Sequence, residues 1–203
     1  MRIGIDFDNT LVRSDRLFHR AAVEAGLIPA HVAPLKSAVR DFLRKAGRES
    51  AWTALQGVVY GSRMSEAEAF PGAIEFLQQA RSHGCELFIV SHETHKATVG
   101  PEHDLHAAAR AWLKANVGEA LVPAHRIYFE LSKEQKLARI AACGCMIFID
   151  GLPEILLAPG FPGYIGRWLF DPQDRLGSVY GVKRFQRWSE LPEVLGLRAC
   201  ACA

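Results

Sequence analysis

The stretch that most constrains this chain is its first dozen residues, Met-Arg-Ile-Gly-Ile-Asp-Phe-Asp-Asn-Thr-Leu-Val. Ile3, Ile5 and Phe7 alternate with small or polar neighbours, which suits a short buried strand, and Asp6 and Asp8 fall where that strand runs out. In open α/β sheets ligands bind at the carboxyl ends of strands, and two carboxylates one residue apart can share a hard cation through oxygen. A carboxylate so placed can also attack phosphorus while its neighbour handles protons. A lone Asp-x-Asp is more often a polar turn, so its meaning rests on partners further along the chain.

After Val12 the hydrophobic period changes from strand to helix. Leu17, Phe18, Ala21, Ala22 and Ala25 share one helical face, capped by Ser14 or Asp15 and stopped at Gly26. A second helix is expected from about Pro34 to Ala46, with Gly47 as its stop, and a third behind a Ser50 cap through Trp52, Leu55 and Val59. These helices interrupt the strand-helix alternation and read as a small helical insertion. Pro71-Gly72 restarts the main domain with a helix carrying Ile74, Phe76, Leu77 and Ala80. Leu87-Phe88-Ile89-Val90 is a continuous apolar strand with Ser91 at its carboxyl end, followed by a loop from His92 to His103.

A helix is then expected from Asp104 to about Asn116 and a strand from Arg126 to Phe129. Ser132-Lys133-Glu134-Gln135 has the capping-box pattern, so a helix should begin there, with Lys136 in or just after its first turn. Met146-Ile147-Phe148-Ile149 is the most apolar strand and closes at Asp150-Gly151; consecutive apolar residues without alternation indicate a strand covered on both faces. A strand around Ile165 to Phe170 and a short helix near Leu191 to Leu195 complete the chain. The predicted architecture is α/β, a doubly wound parallel sheet. Residues 1–12 and 71–203 form its core and 13–70 a helical cap, without internal repeats or low-complexity linkers.

At 203 residues the chain can bury one well-packed domain plus an insertion, and its 49% hydrophobic and 23% charged residues are ordinary for a globular protein. The formal net charge of +2, with no run of Lys or Arg, gives no footprint for nucleic acid. Between Arg13 and Glu68 nine Lys or Arg face six Asp or Glu, a bias that favours an anionic substrate no more than it describes a solvated helical surface. The five cysteines (Cys85, Cys143, Cys145, Cys200 and Cys202) show neither a zinc spacing nor a disulfide framework. No basic leader with an apolar core opens the chain and no run approaches about 18 apolar residues, so a cytoplasmic location without membrane contact is expected.

Asp6, Asp8, Ser91 and Asp150 thus all lie at carboxyl ends of predicted parallel strands, and Lys136 lies near a helix start that faces the same edge. Three converging carboxylates would repel one another unless a cation bound them, and oxygen-only ligands select magnesium (Mg2+). A phosphoester gives each group a role. Asp6 attacks phosphorus in line, Asp8 exchanges protons with the leaving oxygen and then the attacking water, Ser91 donates to a phosphate oxygen, Lys136 neutralises charge, and Asp150 anchors the metal.

With these residues in place the sequence resembles the haloacid dehalogenase superfamily, in its phosphatase branch. Asp6-Phe7-Asp8-Asn9-Thr10 matches the family's first motif, Asp-x-Asp-x-Thr; Ser91, Lys136 and Asp150 match the second, third and fourth. The helical insertion resembles the family's cap, and Phe70-Pro71-Gly72 its usual re-entry into the core. The resemblance implies a five-stranded parallel core, magnesium dependence with Asp6, Asp8 and Asp150 at the metal, and Asp6 as nucleophile. The expected activity is hydrolysis of a small phosphorylated metabolite through an aspartyl-phosphate, with a binding or regulatory module of the same fold, or a phosphotransferase, as the alternatives. Dehalogenation and phosphonate hydrolysis fit the first motif less well.

Two positions depart from the family pattern. Many relatives carry a second acid in the fourth motif, where this chain has Gly151 followed by Leu-Pro-Glu154. Either metal binding is weakened, so that Gly151→Asp lowers the magnesium requirement, or Glu154 helps through water. Lys133 competes with Lys136 for the third motif; Lys136 is preferred on its short spacing to Asp150. His92, next to Ser91, is a candidate substrate contact, whereas Glu93, His95, His103 and His106 read mainly as solvated loop and helix residues. The cap, placed directly after the nucleophile strand, is expected to close over the sheet edge and set substrate choice.

Overall fold

The computed structural model describes residues 1–96, 99, 102–177 and 180–197. The chain forms strands β1 (Arg2–Ile5), β2 (Val12–Arg13), β3 (Glu68–Ala69), β4 (Glu86–His92), β5 (Ile127–Glu130), β6 (Ile147–Asp150), β7 (Gly166–Phe170) and β8 (Lys183–Phe185). Its helices are α1 (Asp15–Glu24), α2 (Lys36–Lys45), α3 (Glu49–Gly57), α4 (Ala73–Ser82), α5 (Leu105–Asn116), α6 (Lys133–Cys143), α7 (Pro153–Leu156) and α8 (Leu191–Val194). Six strands make one sheet in the order β5-β4-β1-β6-β7-β8, all neighbours parallel.

The sheet has one strand more than the five expected. The extra strand, β8, is only three residues long, and its pairing of Phe185 with Phe170 of β7 places an apolar side chain on a buried edge. Alternation over three residues is too short to be legible in the sequence. The chain runs from β1 outward to β4 and β5, then returns to lay β6 on the other side of β1. Such a reversal opens a crevice at the carboxyl ends of the central strands, the usual ligand position in open α/β sheets.

Parallel strands covered on both faces explain the unbroken apolar runs. Phe88 and Val90 of β4, Phe148 of β6 and Leu169 of β7 pack with Ile140 of α6 and with Ile155, Leu156, Phe161 and Ile165 in one buried cluster. Cys143 and Cys145 are buried in that cluster as free thiols, and Cys85 is buried as well; Cys200 and Cys202 lie outside the described residues. Ser132 caps α6 by accepting from the Gln135 amide, and the Gln135 side chain returns a bond to the Leu131 N–H. The capping box of the sequence is thus present, its return bond shifted by one residue. Helix starts predicted at Pro34 and Ser50 are displaced: α2 begins after Leu35 and α3 after Arg48, neither of which caps its helix with its own side chain.

The chain divides into two compact units. One comprises Met1–Leu11, Ala69–His92 and Asn116–Ala203 and contains the six-stranded sheet. The other comprises Val12–Glu68 and also Glu93–Ala115. The sequence pattern places residues 93–115 in the core, so this segment is a difference between expectation and structure. Contacts distant in sequence accompany it: Trp112 of α5 is buried and its Nε1–H donates to the Ala67 carbonyl at 2.8 Å, while the His103 side chain fills the space where a Cβ on Gly61 would stand. The rest of that unit packs around Phe18, whose ring lies 5.2 Å from both Trp52 and Tyr60. The ribbon β2-β3 marks where the chain leaves the first unit and returns. Among the described residues no helix is long and apolar enough to cross a membrane.

Candidate active site

Asp6 follows β1 directly, and its amide donates to the Ile149 carbonyl at 2.9 Å, which extends the β1-β6 ladder by one step and fixes the residue at the crevice. The carboxylate is almost fully buried. Its Oδ1 accepts from Ser91 Oγ at 2.9 Å and from Lys136 Nζ at 2.7 Å, and its Oδ2 accepts from Thr10 Oγ1 at 3.0 Å. Ser91 comes from β4, which lies beside β1, and Lys136 from the start of α6. The chain thus brings a buried carboxylate, two hydroxyls and an ammonium to one point.

Lys136 bridges Asp6 and Asp150, with Nζ also 2.7 Å from Asp150 Oδ2. Burial works against the ammonium's charge, yet the two carboxylates outweigh it and hold its pKa above the ordinary lysine value. Asp150 is fully buried at the end of β6, and its Oδ1 accepts from the Leu152 amide at 2.8 Å. Burial pushes its carboxyl up to about 7, against the pull of Lys136 and with Asp6 reinforcing the rise. Lys133 takes no part in this triad: its Nζ pairs with Glu154, and both side chains are about half exposed.

Asp8 is half-buried two residues beyond Asp6, in a turn whose next residue, Asn9, has φ 50°, a left-handed conformation that Asn tolerates better than most residues. His92 is half-buried at the end of β4, and its Nδ1 is buried without a hydrogen-bond partner. Burial first, and then the Lys136 charge, lowers its pKa, which keeps the imidazole neutral. The remaining histidines of this region lie in the other unit. His106 Nε2 donates to the Glu93 carbonyl, and His95 lies 3.6 Å from Asp104 and stacks edge-on with His106.

Asp6, Asp8 and Asp150 offer oxygen alone, the donor chemistry of magnesium. Among the described residues no three His, Cys, Asp or Glu side chains form a metal cage. Magnesium does not require one, because it is commonly held by one or two carboxylates and completes its octahedron with water and phosphate oxygens. The residues present therefore fit that ion as a shared occupant with substrate.

Gly151 departs from the expectation of a missing ligand. A Cβ on it would lie 2.9 Å from the Asn9 carbonyl oxygen and 3.1 Å from Thr10 Oγ1. The position has no room for an acid, so Gly151→Asp is not expected to improve metal binding, for steric reasons that the sequence does not show. Two further contributors carry no site assignment in the sequence: Thr10, which enters only as part of the first motif, and Trp188, whose Nε1–H donates to the Thr10 carbonyl at 3.3 Å. The Thr of Asp-x-Asp-x-Thr carries a usable signal; nothing local marks Trp188.

The fold is that of the haloacid dehalogenase superfamily. It is similar to a superfamily hydrolase from Ehrlichia chaffeensis, with a TM-score of 0.59 and 14% identity over 96% of this chain and 95% of that one. A family hydrolase from Deinococcus radiodurans with bound phosphate and sodium gives 0.59 and 15%, covering 98% of both chains. A CbbY variant from Rhodobacter sphaeroides in complex with xylulose-(1,5)bisphosphate gives 0.60 and 15%, covering 98% of this chain and 99% of that one. No protein-family profile matches the sequence, and no curated protein matches it.

Proposed function

We propose that the protein is a magnesium-dependent phosphatase that hydrolyses a small phosphorylated metabolite through an aspartyl-phosphate on Asp6. The observation that carries this reading is the Asp6 carboxylate, buried, aimed by Ser91 and Thr10 and neutralised by Lys136. A nucleophile held by three donors loses little freedom on reaching an attack geometry. An Asp6 oxygen forms a bond to phosphorus as the bond to the ester oxygen breaks, and Asp8 gives that oxygen its proton. Water then attacks the phosphorus of the aspartyl-phosphate and loses a proton to Asp8, which returns the Asp6 carboxylate and free phosphate. Ser91 Oγ and Lys136 Nζ can turn from Asp6 to the phosphate oxygens, where negative charge develops.

One or two of the carboxylates of Asp6, Asp8 and Asp150 would hold the magnesium ion, which when bound would supply positive charge against the phosphate oxygens. His92, with its neutral ring and unpartnered Nδ1, is assigned to contact the substrate beside the phosphate. The complex of the CbbY variant with a sugar bisphosphate makes phosphorylated sugars the first compounds to try. The test is phosphate release from a panel of phosphoesters with and without magnesium, for wild type and Asp6→Asn. The amide is nearly isosteric but a poor nucleophile, so release should disappear while the protein stays folded. Substantial activity in that variant refutes the nucleophile assignment, and transfer to an added sugar instead of water would make the protein a phosphotransferase.

A further inference from the structure

We infer that Gly151 and Trp188 are positioning residues that aim Asp6 by clamping Thr10 between them; the kinetic part of this inference rests on the phosphatase reading above. Thr10 is completely buried, and three bonds fix it. Its hydroxyl accepts the Gly151 N–H at 2.8 Å and donates to Asp6 Oδ2 at 3.0 Å. The Asp6 carboxylate can only accept, so the single hydroxyl proton goes to Oδ2, and the Gly151 N–H arriving on the hydroxyl oxygen holds that oxygen in the position from which it donates. The Thr10 carbonyl takes the Trp188 indole N–H.

Each end of the clamp is rigid for a separate reason. Trp188 is fully buried, with ring centroids 5.3 Å from Phe76, 5.6 Å from Phe170 and 5.7 Å from Phe185, so its N–H direction is set by aromatic packing. Gly151 approaches the turn after β1 so closely that any Cβ would meet the Asn9 carbonyl oxygen, a backbone atom in a left-handed turn that cannot rotate away. The missing side chain is therefore what lets the loop after β6 reach the loop after β1. A residue in the place of a family acid then serves the nucleophile.

The test compares wild type with Gly151→Ala, Trp188→Phe, Thr10→Val and Thr10→Ser. Gly151→Ala and Thr10→Val should lower kcat about tenfold or more with KM changed less than about threefold, because an Å-scale misplacement of a reacting group costs rate more than binding. Trp188→Phe, which keeps the ring and loses the N–H, should lower kcat about threefold, and Thr10→Ser should recover most of the loss seen in Thr10→Val. Hydrogen exchange at the Gly151 amide reads the bond without any substrate and should accelerate about tenfold in Thr10→Val. Gly151→Ala with kcat within twofold of wild type, Thr10→Ser no better than Thr10→Val, or unchanged exchange at Gly151 each overturns the clamp. A wild type that releases no phosphate refutes the phosphatase reading instead, and the exchange measurement still decides whether the clamp exists.

Discussion

The ammonium of Lys136 stands 2.7 Å from Asp150 Oδ2, and neither side chain exposes any surface. Lys136 also reaches Asp6, so one buried cation serves two buried acids. An arrangement of this kind costs desolvation energy that mutual attraction only partly returns, and it is maintained here at the point where a phosphate's charge would have to be accommodated.

Removing the cation should therefore damage both stability and turnover. Lys136→Met leaves two buried acids without their cation and is expected to cost about 3–5 kcal/mol in urea denaturation, together with nearly all phosphate release. Lys133→Met, which breaks only a half-exposed pair with Glu154, should change stability by less than about 1 kcal/mol and turnover by less than about threefold. Equal losses in the two variants would mean that the third-motif role is shared.

The pH dependence rests on Asp150. Its folded pKa, about 7, lies above the ordinary aspartate value of 3.8, so the native state keeps a proton that the unfolded chain has released. The stability that this proton contributes is fully present below about pH 4 and is lost as pH rises through about 7. In metal-free buffer, Asp150→Asn should flatten the fall in stability between about pH 4 and 7, measured by chemical denaturation at several pH values. An unchanged slope would place the titrating group elsewhere.

Magnesium should stabilise the native state by mass action, because an ion held by native carboxylates has no comparable site in the unfolded chain. At about 100 times its Kd the expected gain is about 2.7 kcal/mol. Thermal melting with and without magnesium should show this rise in wild type and a reduced rise in Asp150→Asn, whether or not a substrate is known.

Trp112 offers a test of the division into units. Trp112→Phe loses the bond to the Ala67 carbonyl and is expected to cost about 1–2 kcal/mol. Hydrogen exchange should then quicken in 105–115 together with 12–68, while β4 and β6 keep their protection. Quickening confined to α5 would show that this helix opens independently of residues 12–68.

The sequence by itself determined the elements whose signals are local. The apolar run before Asp150 defines a doubly covered strand, Ser132 and Gln135 start α6, and the alternation through Ile5 ends on Asp6; each depends on a few neighbouring residues. These placed Asp6, Ser91, Asp150 and α6 at one sheet edge and made the α/β class legible. Only the tertiary structure decided which lysine is buried, because Lys133 and Lys136 lie one turn apart and only packing of α6 on the sheet selects between them. The same holds for the grouping of 93–115 with 12–68, the three-residue strand β8, the steric meaning of Gly151, and the bond from Trp188 to Thr10 across 178 residues. The physical reason is range: propensity, capping and periodicity act over a turn or a strand, whereas Asp6 and Lys136, 130 residues apart, meet only when the whole sheet has assembled.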